Sequence, residues 1–72
     1  MEHEEYVEQY VNEVEQILRY KYKINDIVIV FMIFDLLRMI EDDPVYVFHY
    51  DSEYWGNFIA KASGYKPEES KG

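Results

Sequence analysis

Apolar and polar positions alternate with the period of an α-helix over the first third of the chain. The apolar stripe comprises Val7, Val11, Val14 and Leu18. The opposite polar face comprises Glu5, Glu8, Asn12, Glu15 and Arg19. Spacings of three and four residues on both faces predict a helix over residues 2–23. Glu15 and Arg19 are one turn apart in the favourable order, so we expect an ion pair between them.

The middle of the chain is apolar around almost its whole circumference. Between Ile27 and Ile40, only Asp35 and Arg38 are polar. The β-branched residues over 27–34 favour a strand, whereas the continuation to Glu41 has the pattern of a helix. We predict one helix over residues 26–42, with Asn25 or Asp26 as its N-cap.

A helix that is apolar on all sides must be covered on all sides. The rest of the chain offers only two further short helices. The pattern therefore predicts a homodimer in which this helix forms the interface. The candidate dimer-interface residues are Ile27, Phe31, Phe34 and Leu37.

The last third begins at Pro44, which fits the first turn of a new helix with Asp43 as its cap. Residues 45–50 are compatible with a helix or a strand. From Ser52 the spacing indicates a helix, and Gly64 fits its C-terminal cap. We predict a mostly α, three-helix domain over 1–64, a helical homodimer, with a polar flexible tail over 65–72. The alternative is an α+β fold with a short hairpin from 27–34 and 45–50.

Composition limits how such a chain is stabilised. It has 72 residues and no cysteine, which excludes disulfides and thiolate metal sites. A core of this size usually supplies about 3–5 kcal/mol of net stability. A second subunit or a binding partner is therefore an expected source of further stabilisation.

The charge is strongly acidic. Fifteen Asp and Glu against seven Lys and Arg give a net charge of −8. This balance opposes direct binding to nucleic acid or anionic membranes and favours a basic protein as partner. Glu8 and Glu15 would lie about 10 Å apart along a helix, a spacing that suits mimicry of a nucleic-acid backbone. The simpler interpretation is an acidic face that keeps the protein in solution.

Several tyrosines adjoin carboxylates, a combination that suits an arginine-rich target. The segment Tyr46–Trp55 combines six aromatic rings, His49 included, with two acids. The predicted partner-binding residues are Glu5, Glu8, Glu15, Tyr46, Tyr50, Asp51, Glu53, Tyr54 and Trp55. The alternative role for about half of the tyrosines is to cover a thin core with the hydroxyl in water.

No pattern of catalytic residues is present. Each histidine has carboxylates close by in sequence: His3 lies beside Glu2 and Glu4, and His49 lies near Asp51 and Glu53. Side chains so close in sequence do not face one another on a helix, so they do not form a site. There is no glycine-rich phosphate loop. We expect no enzyme activity, no cofactor and no metal.

Targeting signals are not expected either. The segment Met1–Glu5 is acidic where a secretory signal is basic. The longest apolar run, 27–34, is shorter than the roughly 20 residues of a membrane span. The simplest expectation is a soluble cytoplasmic protein.

In composition the chain resembles the small inhibitors that phages direct against host nucleases or defence complexes, and bacterial immunity proteins. It is short, acidic, rich in tyrosine and free of cysteine. The resemblance implies a stoichiometric inhibitor or adaptor of a basic protein, for instance one that binds nucleic acid. The alternative function is a structural or regulatory homo-oligomer with an apolar dimer core and no inhibitory role.

Overall fold

The computed structural model describes residues 2–67, with side chains from Glu5 onward. It contains four α-helices: α1 (Glu2–Gln16), α2 (Asp26–Asp42), α3 (Pro44–His49) and α4 (Ser52–Ala62). A π-helical turn, Ile17–Lys21, continues α1. No strand occurs in the described part, which confirms the helical class and rules out the hairpin of 27–34 with 45–50. Residues 68–72 of the predicted tail lie outside the described residues.

The first helix ends in an unusual way. The Tyr22 amide donates to the Ile17 carbonyl, five residues back, at 3.4 Å. Lys23 has a φ of 56°, in the left-handed region, and the Ile24 amide then donates to the Leu18 carbonyl at 3.1 Å. This wide turn directs Ile24 into the core. The helix predicted over 2–23 is therefore α1 plus the π-helical turn.

The later helices begin at short polar caps, whose oxygens satisfy amides that lack a partner within the helix. Asn25 Oδ1 accepts from the Ile27 amide at 2.8 Å and starts α2 at the predicted position. Asp43 Oδ1 accepts from the Tyr46 amide at 3.2 Å. Asp51 starts α4 in the same way, with a distance of 2.9 Å to the Tyr54 amide. The predicted third helix is thus two helices, because the chain bends between them and caps again.

The end of α4 confirms the predicted glycine cap. Gly64 has a φ of 91°, which glycine adopts without steric cost. Its amide donates to the Lys61 carbonyl at 3.0 Å, and the Tyr65 amide donates to the Ala60 carbonyl at 2.9 Å. This is a Schellman motif. Tyr65 then packs against the core.

The core lies where α1 packs against α2 and α4, with α3 against α2. Its largest fully buried side chains are Trp55, Leu18, Ile29, Leu36, Val14 and Val47. Val7 and Val11, at the start of the predicted stripe, are half-buried, whereas Tyr10 is buried. The core side of α1 is therefore rotated from the predicted stripe towards Tyr10. None of the described helices has both the length and the apolar character needed to cross a membrane.

The close approach of α4 to the π-helical turn depends on one glycine. A Cβ atom at Gly56 would lie 2.8 Å from Ile17 Cγ2 and 3.0 Å from Ile17 Cβ. These atoms are next to the backbone of a β-branched residue, so they cannot swing away. Gly56 therefore sets the distance between the two elements.

We predict that Gly56→Ala destabilises the protein. Alanine favours a helix by about 1 kcal/mol over glycine, but overpacking costs about 1–3 kcal/mol. The expected net loss is about 1 kcal/mol in the free energy of unfolding. Urea denaturation followed by far-ultraviolet circular dichroism measures it.

The matched control is the same substitution in an Ile17→Ala background. Without the isoleucine branch only the contact with Cβ at 3.0 Å remains, so Gly56→Ala should cost clearly less than in the parent chain. An equal loss in both backgrounds would show that the contact with Ile17 is not the cause.

Candidate protein-binding surfaces

One carbonyl joins three helices in the core. The Val47 carbonyl, in α3, accepts a hydrogen bond from the indole Nε1 of Trp55 at 2.8 Å. It also lies 3.2 Å from the Tyr10 hydroxyl, which is 2.6 Å from the Tyr50 carbonyl. Trp55 is 2% exposed, which corrects its assignment to the partner-binding set. Its ring stabilises the core because the indole N–H finds its acceptor inside.

An open surface pocket of about 340 Å³ lies next to these hydrogen bonds, between α1 and the bend from α3 to α4. Tyr6 and Phe48 meet edge to face there, with ring centroids 5.0 Å apart. Glu13 and Asp51 bring carboxylates to the pocket, and Glu13 Oε1 accepts from the Ser52 hydroxyl at 2.7 Å. We call this the junction pocket; its aromatic wall and acids suit a basic side chain.

Two buried tyrosines have raised pKa values. Burial raises the pKa of Tyr10 to about 12, and the nearby Tyr6, Asp51 and Glu13 add to the effect by charge repulsion. Burial also raises the pKa of Tyr22, whose hydroxyl donates to Asn57 Oδ1 at 2.7 Å. Both hydroxyls therefore hold their protons more tightly in the folded chain.

A row of aromatic rings covers the outside of α3 and α4. We call Tyr46, Tyr50, Tyr54 and Phe58 the aromatic row. Tyr50 and Tyr54 stack with centroids 4.2 Å apart, and Tyr54 lies parallel to Phe58 at 6.1 Å. Tyr46 and Phe58 are each about half exposed. Sequence reasoning missed Phe58, although its position four residues after Tyr54 was a usable signal.

A groove of about 710 Å³ lies between α1 and α2. Val7, Val11 and Leu37 supply its apolar lining, and Glu8 and Glu15 supply carboxylates. We call it the α1–α2 groove. It combines apolar and acidic groups in one concave surface.

Of the two carboxylates in the groove, one is held in an ion pair within the chain. Glu15 Oε2 is bound by Arg19 Nη2 at 3.0 Å, which confirms the predicted pair. Arg19 Nε also binds Asp26 Oδ1 at 3.0 Å, and these hydrogen bonds, that to Asp26 first, raise the pKa of Arg19. Glu8 is exposed and has no hydrogen-bond or ion-pair partner among the described residues. Glu8 is thus the groove acid available to a ligand.

The outer side of α2 is largely apolar and open. Its exposed apolar side chains are Ile27, Val30, Phe31, Phe34 and Leu37, which we call the α2 face; Asp35 and Arg38 are also exposed on this helix. Four of these are the predicted dimer-interface residues, and Val30 joins them. Ile27 is 68% exposed and Phe31 64%. The chain alone therefore leaves one side of its most apolar helix uncovered.

The predicted partner-binding residues are divided between two flanks of α1. Glu8 and Glu15 lie on the flank that faces α2, whereas Tyr50 and Asp51 line the junction pocket on the other flank. Glu5, Glu53 and Tyr54 are exposed outside both depressions. The structure thus forms two separate candidate surfaces from residues predicted to act together.

No metal site was found among the residues described here: no three His, Asp or Glu side chains converge. His49 is exposed and meets the Tyr50 ring edge to face at 4.9 Å. The side chains of Glu2, His3 and Glu4 lie outside the described residues. No protein-family model, curated protein or solved structure matches this chain. The surfaces themselves therefore carry the functional inference.

We predict that stability falls between pH 10 and pH 12 through Tyr10. The pKa of the Tyr10 hydroxyl is about 12 in the folded chain and near 10.0 in the unfolded chain. Its contribution to stability is therefore complete below pH 10 and is lost as the pH rises to about 12. Tyr10→Phe should be less stable than the parent chain at pH 8, because it lacks the hydrogen bonds of the hydroxyl. Between pH 8 and pH 12, however, its free energy of unfolding should fall by less than that of the parent chain. The urea midpoint at each pH measures both effects.

Tyr20→Phe is the matched control, because it removes an exposed hydroxyl. Its pH dependence should follow that of the parent chain. If Tyr10→Phe also follows the parent, Tyr10 does not cause the alkaline loss.

Proposed function

We propose that this chain is a protein-binding module, a stoichiometric inhibitor or adaptor of a basic protein, which docks its partner in the α1–α2 groove. The observation that carries the proposal is the combination of an apolar lining from Val7, Val11 and Leu37 with the open carboxylate of Glu8. Apolar area supplies affinity, and the acid selects basic partners.

The shape and chemistry of the groove favour a basic amphipathic segment. Helices of this kind place apolar anchors one turn apart in a groove and bring their polar side chains to its rim. Val7 and Val11 are themselves one turn apart. A lysine or arginine at the rim would reach Glu8, while Glu15 remains held by Arg19.

The aromatic row and the junction pocket provide a second contact area for a larger partner. Stacked tyrosines are low-entropy anchors, and arginine guanidinium groups pack well on such rings. With a net charge of −8, the surface would attract a positively charged groove from a distance. In this form of the proposal the chain occupies a nucleic-acid site of its partner, as an anti-defence or immunity-type inhibitor does.

A structural or regulatory homo-oligomer is the second candidate function. The specific observation in its favour is the α2 face, whose apolar side chains are open to solvent. The two functions differ in which surface is indispensable: the acids of α1 for the first, the α2 face for the second.

We predict that Glu8→Lys weakens retention of a basic partner and that Glu53→Lys does not. Both residues are exposed acids, and each reversal changes the net charge from −8 to −6. Only Glu8 lines the groove. In a pull-down from cell lysate eluted with a salt gradient, Glu8→Lys should release the partner at lower salt, with affinity reduced about tenfold.

Two further measurements distinguish the site at which the partner binds. Added duplex DNA should displace the partner if the chain occupies its nucleic-acid site. Phe31→Glu, on the α2 face, should retain the partner. Equal retention by the Glu8 and Glu53 variants would contradict docking in the groove, and loss only with Phe31→Glu would favour the homo-oligomer.

A further inference from the structure

We propose that the α2 face binds the α2 face of a second copy of this chain, with the two helices antiparallel about a twofold axis at the level of Met32. Leu37 belongs to both the α1–α2 groove and the α2 face, but the groove acid that tests the proposed function, Glu8, lies on α1, so the two proposals are tested by different variants. Three observations support it, the apolar area, the end charges and a complementary depression, and one register satisfies all three.

The size of the α2 face matches what an interface needs. From the exposed fractions of its five side chains, the face offers about 600 Å² of apolar surface, at the upper end for a single patch on a monomer. A standard stable interface buries about 800 Å² per partner. The charged residues at the two ends of α2 supply the remaining area as a polar rim.

The charges at the ends of α2 select the antiparallel arrangement. Lys23 precedes the helix, and Glu41 and Asp42 end it; all three are exposed. A parallel pair would place acids beside acids and lysine beside lysine. An antiparallel pair places Lys23 of one copy beside Glu41 of the other, and it also opposes the two helix dipoles.

A single register aligns apolar and charged groups together. With the axis at Met32, Ile27 lies level with Leu37 of the second copy, and Val30 lies level with Phe34. The same register brings Asp26 level with Arg38, and it places Lys23, which precedes the helix, at the end where Glu41 of the second copy lies. Because the axis is twofold, each of these pairings occurs twice.

A depression on α2 fits this arrangement. Phe34, Leu37 and Glu41 line an open pocket of about 450 Å³, together with Arg38 and Ile40. In the proposed register, Ile27 and Val30 of the second copy stand opposite its apolar wall, and Lys23 stands opposite Glu41. Apolar groups therefore meet apolar groups, and the lysine meets the acid.

The test is a set of charge reversals read by sedimentation equilibrium across a dilution series. The parent chain should associate to a dimer. Lys23→Glu and Glu41→Lys should each raise the dimer dissociation constant about tenfold, since each reversal creates two repulsive contacts. The double variant Lys23→Glu/Glu41→Lys should restore the parent value, because both contacts become attractive again.

The design separates register from net charge and from misfolding. Lys23→Glu makes the chain more acidic and Glu41→Lys less acidic, so a net-charge effect would move the two dissociation constants in opposite directions. Phe34→Glu should leave a folded monomer, as judged by circular dichroism. A monomeric parent chain, unchanged single variants or a double variant that fails to restore association would each overturn the proposal.

Discussion

The backbone carbonyl of Val47 is the acceptor on which the packing of three helices depends. It receives the indole N–H of Trp55 from α4 and lies within reach of the Tyr10 hydroxyl from α1. Helix α3, over Pro44–His49, is too short to be stable by itself. Its position is therefore set by these side chains. The junction pocket and the aromatic row depend on that position in turn, because both are built across the bend between α3 and α4.

The open α2 face follows from which side of α2 packs inward. The buried residues Ile29, Met32, Leu36 and Ile40 lie along one side of α2, which packs against the rest of the domain. The other described helices pack on that side and leave the opposite side uncovered. Tyr10 and Trp55 both serve the core, because each large aromatic side chain buries a large apolar area.

Much of the fold could be predicted from local chemistry. The bounds of α2, the cap at Asn25 and the motif at Gly64 follow from residues that act on their own neighbours. The π-helical turn could not be predicted, because Lys23 in a left-handed conformation has no local signal and is held there by packing around Ile24. The candidate surfaces were less predictable still. Helical spacing predicts Glu15 and composition predicts Tyr50 as parts of one binding surface, but which flank of a helix meets which neighbour is a property of the tertiary packing. By sequence Trp55 suits an interface and a core equally, and the Val47 carbonyl that accepts from its indole N–H is a contact between helices that sequence does not show.

The buried indole also gives the protein an internal optical probe. Trp55 is the sole tryptophan, and its ring centroid lies 5.9 Å from Tyr46, 6.0 Å from Tyr50 and 5.0 Å from Tyr54. At such distances, light absorbed by these tyrosines passes to the indole by resonance energy transfer. The emission wavelength of the indole then reports water entry at the Val47 carbonyl, while the part of the transfer that comes from Tyr46, which lies on α3, reports separation of α3 from α4. The two signals distinguish loosening of this corner from unfolding of the whole chain, with no label added.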